Sequence, residues 1–138
     1  MKIVPNLRFC GQCGQAMKLY EKVFGGKITC LLHYSAAVSQ DYDTADWPEE
    51  KLQAVYHGEM MIGEMRFMMC DDFVHDATPG DRIAMNVTFS DAQAAREAFN
   101  IMMTEGAAIV VEPHTTTYSP FMAVIRDPFG IRWGIVTE

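Results

Sequence analysis

The segment Val4-Pro5-Asn6-Leu7-Arg8-Phe9 alternates apolar and polar positions in the manner of a strand. Ala84-Met85-Asn86-Val87-Thr88-Phe89 repeats the alternation, with Asn at the matching place. A helical pattern follows each segment. The first runs from Gly14 to Phe24, with Ala16, Leu19, Tyr20 and Val23 on one face and Gly25-Gly26 as its stop. The second opens at Ser90-Asp91, either of which can cap it, and spaces Ala95, Ala98, Phe99 and Met102 helically before Gly106.

Three strands are predicted after each helix. They are Lys27–Tyr34, Ala54–Ile62 and Met65–Cys70 in the first half, and Ala107–Glu112, Phe121–Arg126 and Ile131–Val136 in the second. Tight turns fall at Gly63-Glu64 and at Asp127-Pro128-Phe129-Gly130. Each half therefore reads β-α-β-β-β, and overlaying the halves aligns Tyr20 with Phe99. Residues 35–53, carrying Asp41, Asp43, Asp46, Glu49 and Glu50, read as an acidic surface insertion with little core content. A spacer between Asp71 and Arg82 joins the halves. The expected fold is α+β: one domain over 1–138, with modules at about 1–72 and 82–138. A ferredoxin-like α+β domain with coincidental symmetry is the alternative.

Composition narrows the function classes. The 138 residues are 49% hydrophobic and 21% charged, ordinary values for a globular chain. A formal charge of −7 with scattered basic residues argues against a nucleic-acid surface, which needs clustered Lys and Arg. No apolar run reaches membrane-spanning length, and MKIVPNLRF lacks the apolar segment of a signal peptide. The expectation is a cytoplasmic protein without nucleic-acid or membrane partners, its four cysteines (Cys10, Cys13, Cys30, Cys70) reduced. Eleven methionines suit gap-filling in a core or an adaptable pocket lining.

Four groups of residues together resemble the PhnB-like branch of the vicinal-oxygen-chelate superfamily, also described as glyoxalase, bleomycin-resistance and dioxygenase domains. They are Lys2-Ile3-Val4-Pro5; Ala16, Leu19-Tyr20 and Phe24-Gly25-Gly26; His57-Gly58-Glu59 with Ile62-Gly63; and Asp127-Pro128-Phe129-Gly130-Ile131-Arg132-Trp133. The resemblance spans nearly the whole chain. It implies paired modules whose mostly antiparallel sheet curls around a groove, and a homodimer. Relatives include lyases, fosfomycin-modifying enzymes, extradiol dioxygenases and metal-free drug-sequestering proteins. A methyltransferase activity, also attributed to PhnB-like chains, is not supported, because no Gly-rich strand–loop–helix suited to adenosylmethionine is visible.

By that resemblance, metal-using relatives carry His, Gln or Glu at positions that fall here on or beside Val4, Met68, Ala84 and Gly134. None of these four supplies a hard-metal donor, so no metal cofactor is expected. An unusual constellation of His57, Glu59 and His114 is the alternative.

Alternation assigns Ile3, Pro5, Leu7 and Phe9 to the core and leaves Asn6 and Arg8 facing the groove. Likewise Met85, Val87 and Phe89 point inward, and Asn86 and Thr88 outward. Ile131, Trp133 and Ile135 take the core side of the last strand, and Arg132 and Gly134 the other. The candidate ligand-binding residues are therefore His57, Glu59, Arg8, Asn6, Asn86, Tyr118 and Arg132. His57, beside a carboxylate at signature position, is the best candidate for a general base, or else a satisfied structural histidine. Arg8 and Arg132 read either as ligand contacts or as structural partners of Glu59 or another carboxylate. Asn6 and Asn86 read either as ligand contacts or as cross-strand hydrogen bonders. Tyr118 takes the place of a Trp in the relatives and either stacks on a flat ligand or closes a loop. Cys10-Gly11-Gln12-Cys13 bridges a strand and a helix start, as redox pairs do, without a second CxxC to complete a zinc site.

Three function classes stay open at this point. One is a metal-free small-molecule-binding protein. Another is a lyase, isomerase or transferase using an atypical metal site or His57. The last is a non-catalytic dimeric structural or regulatory module.

Overall fold

The computed structural model describes residues 1–38, 41–75, 78 and 80–138. The chain divides into two compact units, Met1–Ala77 and Thr78–Glu138. The first contains β1 (Asn6–Phe9), α1 (Cys13–Phe24), β2 (Lys27–His33), α2 (Glu49–Leu52), β3 (Val55–Ile62) and β4 (Met65–Asp71). The second contains β5 (Met85–Phe89), α3 (Ala92–Thr104), β6 (Ala108–His114), β7 (Met122–Arg126) and β8 (Arg132–Thr137).

Each unit holds a four-stranded sheet with the same strand order, β1-β4-β3-β2 and β5-β8-β7-β6. The first strand pairs in parallel with the last, and the remaining pairs are antiparallel. The internal repeat read from sequence is thus a repeat of register. Asn6 partners Met68, and Asn86 partners Gly134.

Helix α1 buries Cys13, Ala16, Met17, Leu19, Tyr20 and Val23, the spacing that puts one stripe against a sheet. It stops at Gly25, whose φ of 63° is left-handed and comfortable only without a Cβ. Asp91 caps α3 by accepting from the Ala94 N–H at 2.8 Å, as expected. Helix α1 has no such local cap. Its N-terminus is held by Asp71, the last residue of β4. One oxygen of that carboxylate accepts from the Gly11 and Cys13 N–H groups at 2.7 and 3.0 Å, and the other from Val55 N–H at 2.9 Å. In the second unit Thr137 occupies the matching strand position, and its hydroxyl accepts from Phe121 N–H at 3.1 Å.

One expectation needs correction. Ile3 does not join the core; it precedes β1 and is exposed. As expected, no described residue of the 35–53 segment is fully buried, but Tyr42 and Trp47 are half-buried against a core residue just before it. Tyr34 is buried, and its ring meets Tyr42, Trp47, Tyr56 and Phe73 at centroid separations of 5.2, 5.0, 5.5 and 5.8 Å. The Lys51 ammonium lies 3.6 Å from the Trp47 ring centroid, a cation–π contact. Two aromatic residues of an otherwise acidic surface segment thus lean on one core tyrosine, and no regular period announces it. Ser39 and Gln40 of this segment lie outside the described residues.

Candidate functional site

In the first unit the two sheet faces can be told apart by packing. A Cβ on Gly58 would meet Met17 Sδ of α1 at 3.0 Å, so Gly58 and its partner Met69 face the helix. Leu7, Phe9, Met60 and Phe67 share that side and are buried. Alternation then turns Asn6, Arg8, His57, Glu59, Met61, Arg66, Met68 and Cys70 to the other face. Four residues expected at the site are therefore brought onto one face: Asn6, Arg8, His57 and Glu59. Sequence reasoning missed Arg66.

Glu59 is the hub of this face. His57 Nε2 lies 3.0 Å from Glu59 Oε1, Arg66 Nε donates to Oε2 at 3.0 Å, and an Arg66 amino group contacts Oε1. Arg66 comes first among the causes that hold the Glu59 carboxyl below the usual carboxylate range, followed by the hydrogen bond from His57. With Nε2 protonated toward Glu59, the lone pair of His57 sits on Nδ1.

The sign of the Glu59 shift sets a pH dependence. A lowered folded-state value means the pairing stabilises fully above the ordinary carboxylate range. That contribution disappears as pH falls from that range through the lowered Glu59 value. In acid-denaturation curves, Glu59→Gln is expected to remove this part of the pH slope while leaving the remainder. Coincident slopes for the two proteins would show that the pairing adds nothing.

Arg8 and Arg132 pair with carboxylates other than Glu59, one of the structural roles the sequence allowed, with Arg132 3.8 Å from Asp81 Oδ1. Arg8 contacts the Asp72 carboxylate and lies 3.1 Å from His75 Nδ1, itself 3.0 Å from Asp72. Arg132 donates to the Asp81 carbonyl at 3.1 Å. The physical reason is register: Arg66 lies one hairpin step from Glu59, because Gly63-Glu64 places Met61 opposite Arg66 and Glu59 opposite Met68.

In the second unit Asn86, Thr88, Val124, Arg126, Arg132 and Gly134 share the face opposite Trp133 and Ile135. Asn6 and Asn86 hold the same register position in the two sheets, opposite Met68 and Gly134 respectively. Tyr118 sits in the loop between β6 and β7 with 69% of its surface exposed. His114 Nδ1 lies 2.8 Å from the Glu112 carbonyl.

The four positions that the family resemblance assigns to a metal do not fit one here. Met68 presents a thioether, Val4 and Ala84 alkyl groups, and Gly134 nothing. A Cβ at Gly134 would meet Asn86 Oδ1 well inside contact distance, so restoring a carboxylate there requires Asn86 to move. Among the described residues, no three of His, Cys, Asp and Glu gather closely enough to hold a metal ion.

The Cys10–Cys13 pair lacks the electrostatics of a redox motif. Both are free thiols, Cys10 exposed and Cys13 buried. Burial, reinforced by the Asp71 charge, pushes the Cys13 thiol up rather than down. Elsewhere, a cleft of about 390 Å³ beside α1 is lined by Met17, Ile28, Leu31, Val55 and Asp71 among others. Its carboxylate already accepts three backbone N–H groups.

Among the described residues no helix is long and apolar enough to cross a membrane. The sequence matches the profile of the Glyoxalase/Bleomycin resistance protein/Dioxygenase superfamily over residues 2–135. No curated protein matches it in sequence. Its fold is similar to that of protein PA1353 from Pseudomonas aeruginosa, with a TM-score of 0.84, 22% identity, and coverage of 100% of this chain and 98% of that one. It is similar also to the PhnB protein from Bacillus cereus, with a TM-score of 0.81, 20% identity and full coverage of both chains. The fosfomycin resistance protein FosX from Listeria monocytogenes shares the fold at a TM-score of 0.68 and 5% identity, covering 100% of this chain and 93% of that one. The two repeated β-α-β-β-β units and the match along nearly the whole length place this chain in the glyoxalase/bleomycin resistance/dioxygenase superfamily.

Proposed function

We propose that this chain is a small-molecule-binding member of the superfamily that works without the usual metal, as a cytoplasmic homodimer. The observation that carries the reading is the face of the first sheet turned away from α1. There the His57–Glu59–Arg66 cluster stands beside half-buried Met61, Met68 and Cys70. Apolar contact from Met61, Met68 and Cys70 beside convergent polar groups suits a small organic ligand that itself carries polar groups. Methionines let it adapt to shape. Glu59 is committed to its two partners, so its role is to orient them. His57 Nδ1 and the outer edge of Arg66 then meet the ligand.

A screen of aromatic and cationic drug-like compounds by thermal shift tests this, because a ligand that binds only the folded state raises its melting temperature. Compounds that stabilise the wild type should lose most of that effect on His57→Ala and on Arg66→Met. Stabilisation undiminished in both variants would move the site elsewhere, and a screen without hits would favour the non-catalytic structural module.

The His57–Glu59 contact favours one second reading. A carboxylate that orients an imidazole leaves its other nitrogen available as a base. Turnover that follows a single ionisation and is abolished by His57→Gln would establish it.

A further inference from the structure

Arg126 and Arg132 are register partners on the β7–β8 hairpin, two like charges placed directly opposite one another. Such an arrangement is unfavourable unless an anion lies between them. The carboxylate that serves both is Asp81, just before β5. Its Oδ1 contacts an Arg126 amino group and lies 3.8 Å from Arg132 NH1. Asp81 is a loosely held counter-ion, since 75% of its side chain is exposed, against 25% for Arg126 and 24% for Arg132. Among the described residues no second carboxylate pairs with either arginine, so one positive charge of the pair has no partner there. Arg132 Nε is buried and has no hydrogen-bond partner among the described residues. An unsatisfied buried donor is costly, and structures rarely keep one without a use.

We infer that the Arg126–Arg132 pair is a binding site for a phosphate-type oxyanion, with Asp81 as an internal stand-in that the ligand displaces. A tetrahedral dianion matches both charges, and its several oxygens can meet two guanidinium forks and the orphaned Nε together. Asn86 lies in the neighbouring row of the same face, across Gly134. That glycine brings no side chain to this face, and Asn86 Oδ1 lies over it. The site stands on the second unit alone and goes beyond the reading centred on His57.

The measurement is a titration of inorganic phosphate and of phenyl phosphate, at ionic strength held constant with chloride. Wild type, Asp81→Asn, Arg126→Met and Arg132→Met are compared, each checked for folding by circular dichroism. Removing the internal competitor should lower the Kd for phosphate about tenfold in Asp81→Asn, the gain expected when a self-occupied state no longer competes. Either arginine substitution should abolish binding. Tighter binding of phenyl phosphate places the anion on a larger molecule, equal binding identifies the free anion, and both uphold the site. An Asp81→Asn protein that binds no more tightly than wild type overturns the inference, even if an arginine variant fails to fold. So does a phosphate effect that chloride reproduces. His57, Glu59 and Arg66 are intact in every variant, so this failure is distinguishable from a failed drug screen.

Discussion

Replacing Asp71 with alanine is expected to lower folding stability by about 3–5 kcal/mol, among the largest effects of any single substitution in the chain. The side chain is 1% exposed and accepts three backbone N–H bonds. Truncation strands all three donors in a dry site. One opens α1, one lies just before it and the third opens β3, so one carboxylate fastens a helix to two strands of its sheet. The Asp71 backbone carbonyl accepts the buried Tyr34 hydroxyl at 2.7 Å, which ties the aromatic cluster to the same point. Asp71→Asn separates geometry from charge: it keeps the shape and one acceptor, but sets an N–H against an N–H on one side. It should cost about 1–3 kcal/mol. Urea denaturation measures both, with the loss seen as a lower midpoint at unchanged m-value. An Asp71→Ala protein within about 1 kcal/mol of wild type would show that water replaces the carboxylate at little cost.

Asp127 is the second such point. Its carboxylate accepts from Phe129 and Ile131 N–H, both at 2.9 Å, and from Trp133 Nε1 at 2.9 Å. The Asp-Pro-Phe-Gly turn is therefore built around the acid, which also anchors the largest fully buried side chain, Trp133. Asp127→Asn should cost about 2–3 kcal/mol, since an amide cannot accept on both sides. In a double-mutant cycle, Asp127→Ala and Trp133→Phe should be non-additive by about 1–2 kcal/mol, because each alone breaks the same bond. Additive losses would mean that the turn and the indole are held independently.

Both acids show how far the sequence was legible. The alternation around Asn6 and Asn86 revealed the repeat because strand side chains have a period of two, and the structure turns the alignment into matching strand partners. The Asp127 turn was visible as a hairpin signal, though not its bond to Trp133. Asp71 read as the start of a spacer because it caps a helix some 58 positions earlier in the chain, beyond any local pattern. The aromatic residues of 35–53 were hidden behind their acidic neighbours. At the candidate site, His57 and Glu59 were readable as strand neighbours on one face. Arg66 needed the register of a two-residue turn, where a slip of one residue would move it to the other face. Arg126 was overlooked for the same reason: only the hairpin pairing sets it opposite Arg132.

The absence of hard donors at Val4, Met68, Ala84 and Gly134 gives the functional proposal its direction. Both Glu59 oxygens are engaged by Arg66, and among the described residues no group of three His, Cys, Asp or Glu gathers where His57 Nδ1 could share a metal. The central claim is therefore tested most directly by elemental analysis of the purified wild-type protein after incubation with Zn, Ni, Mn and Fe salts and removal of excess metal. The account predicts that no metal remains in stoichiometric amount, and that His57→Ala and Glu59→Gln change nothing. Stoichiometric metal in the wild type that is lost in either variant would contradict it.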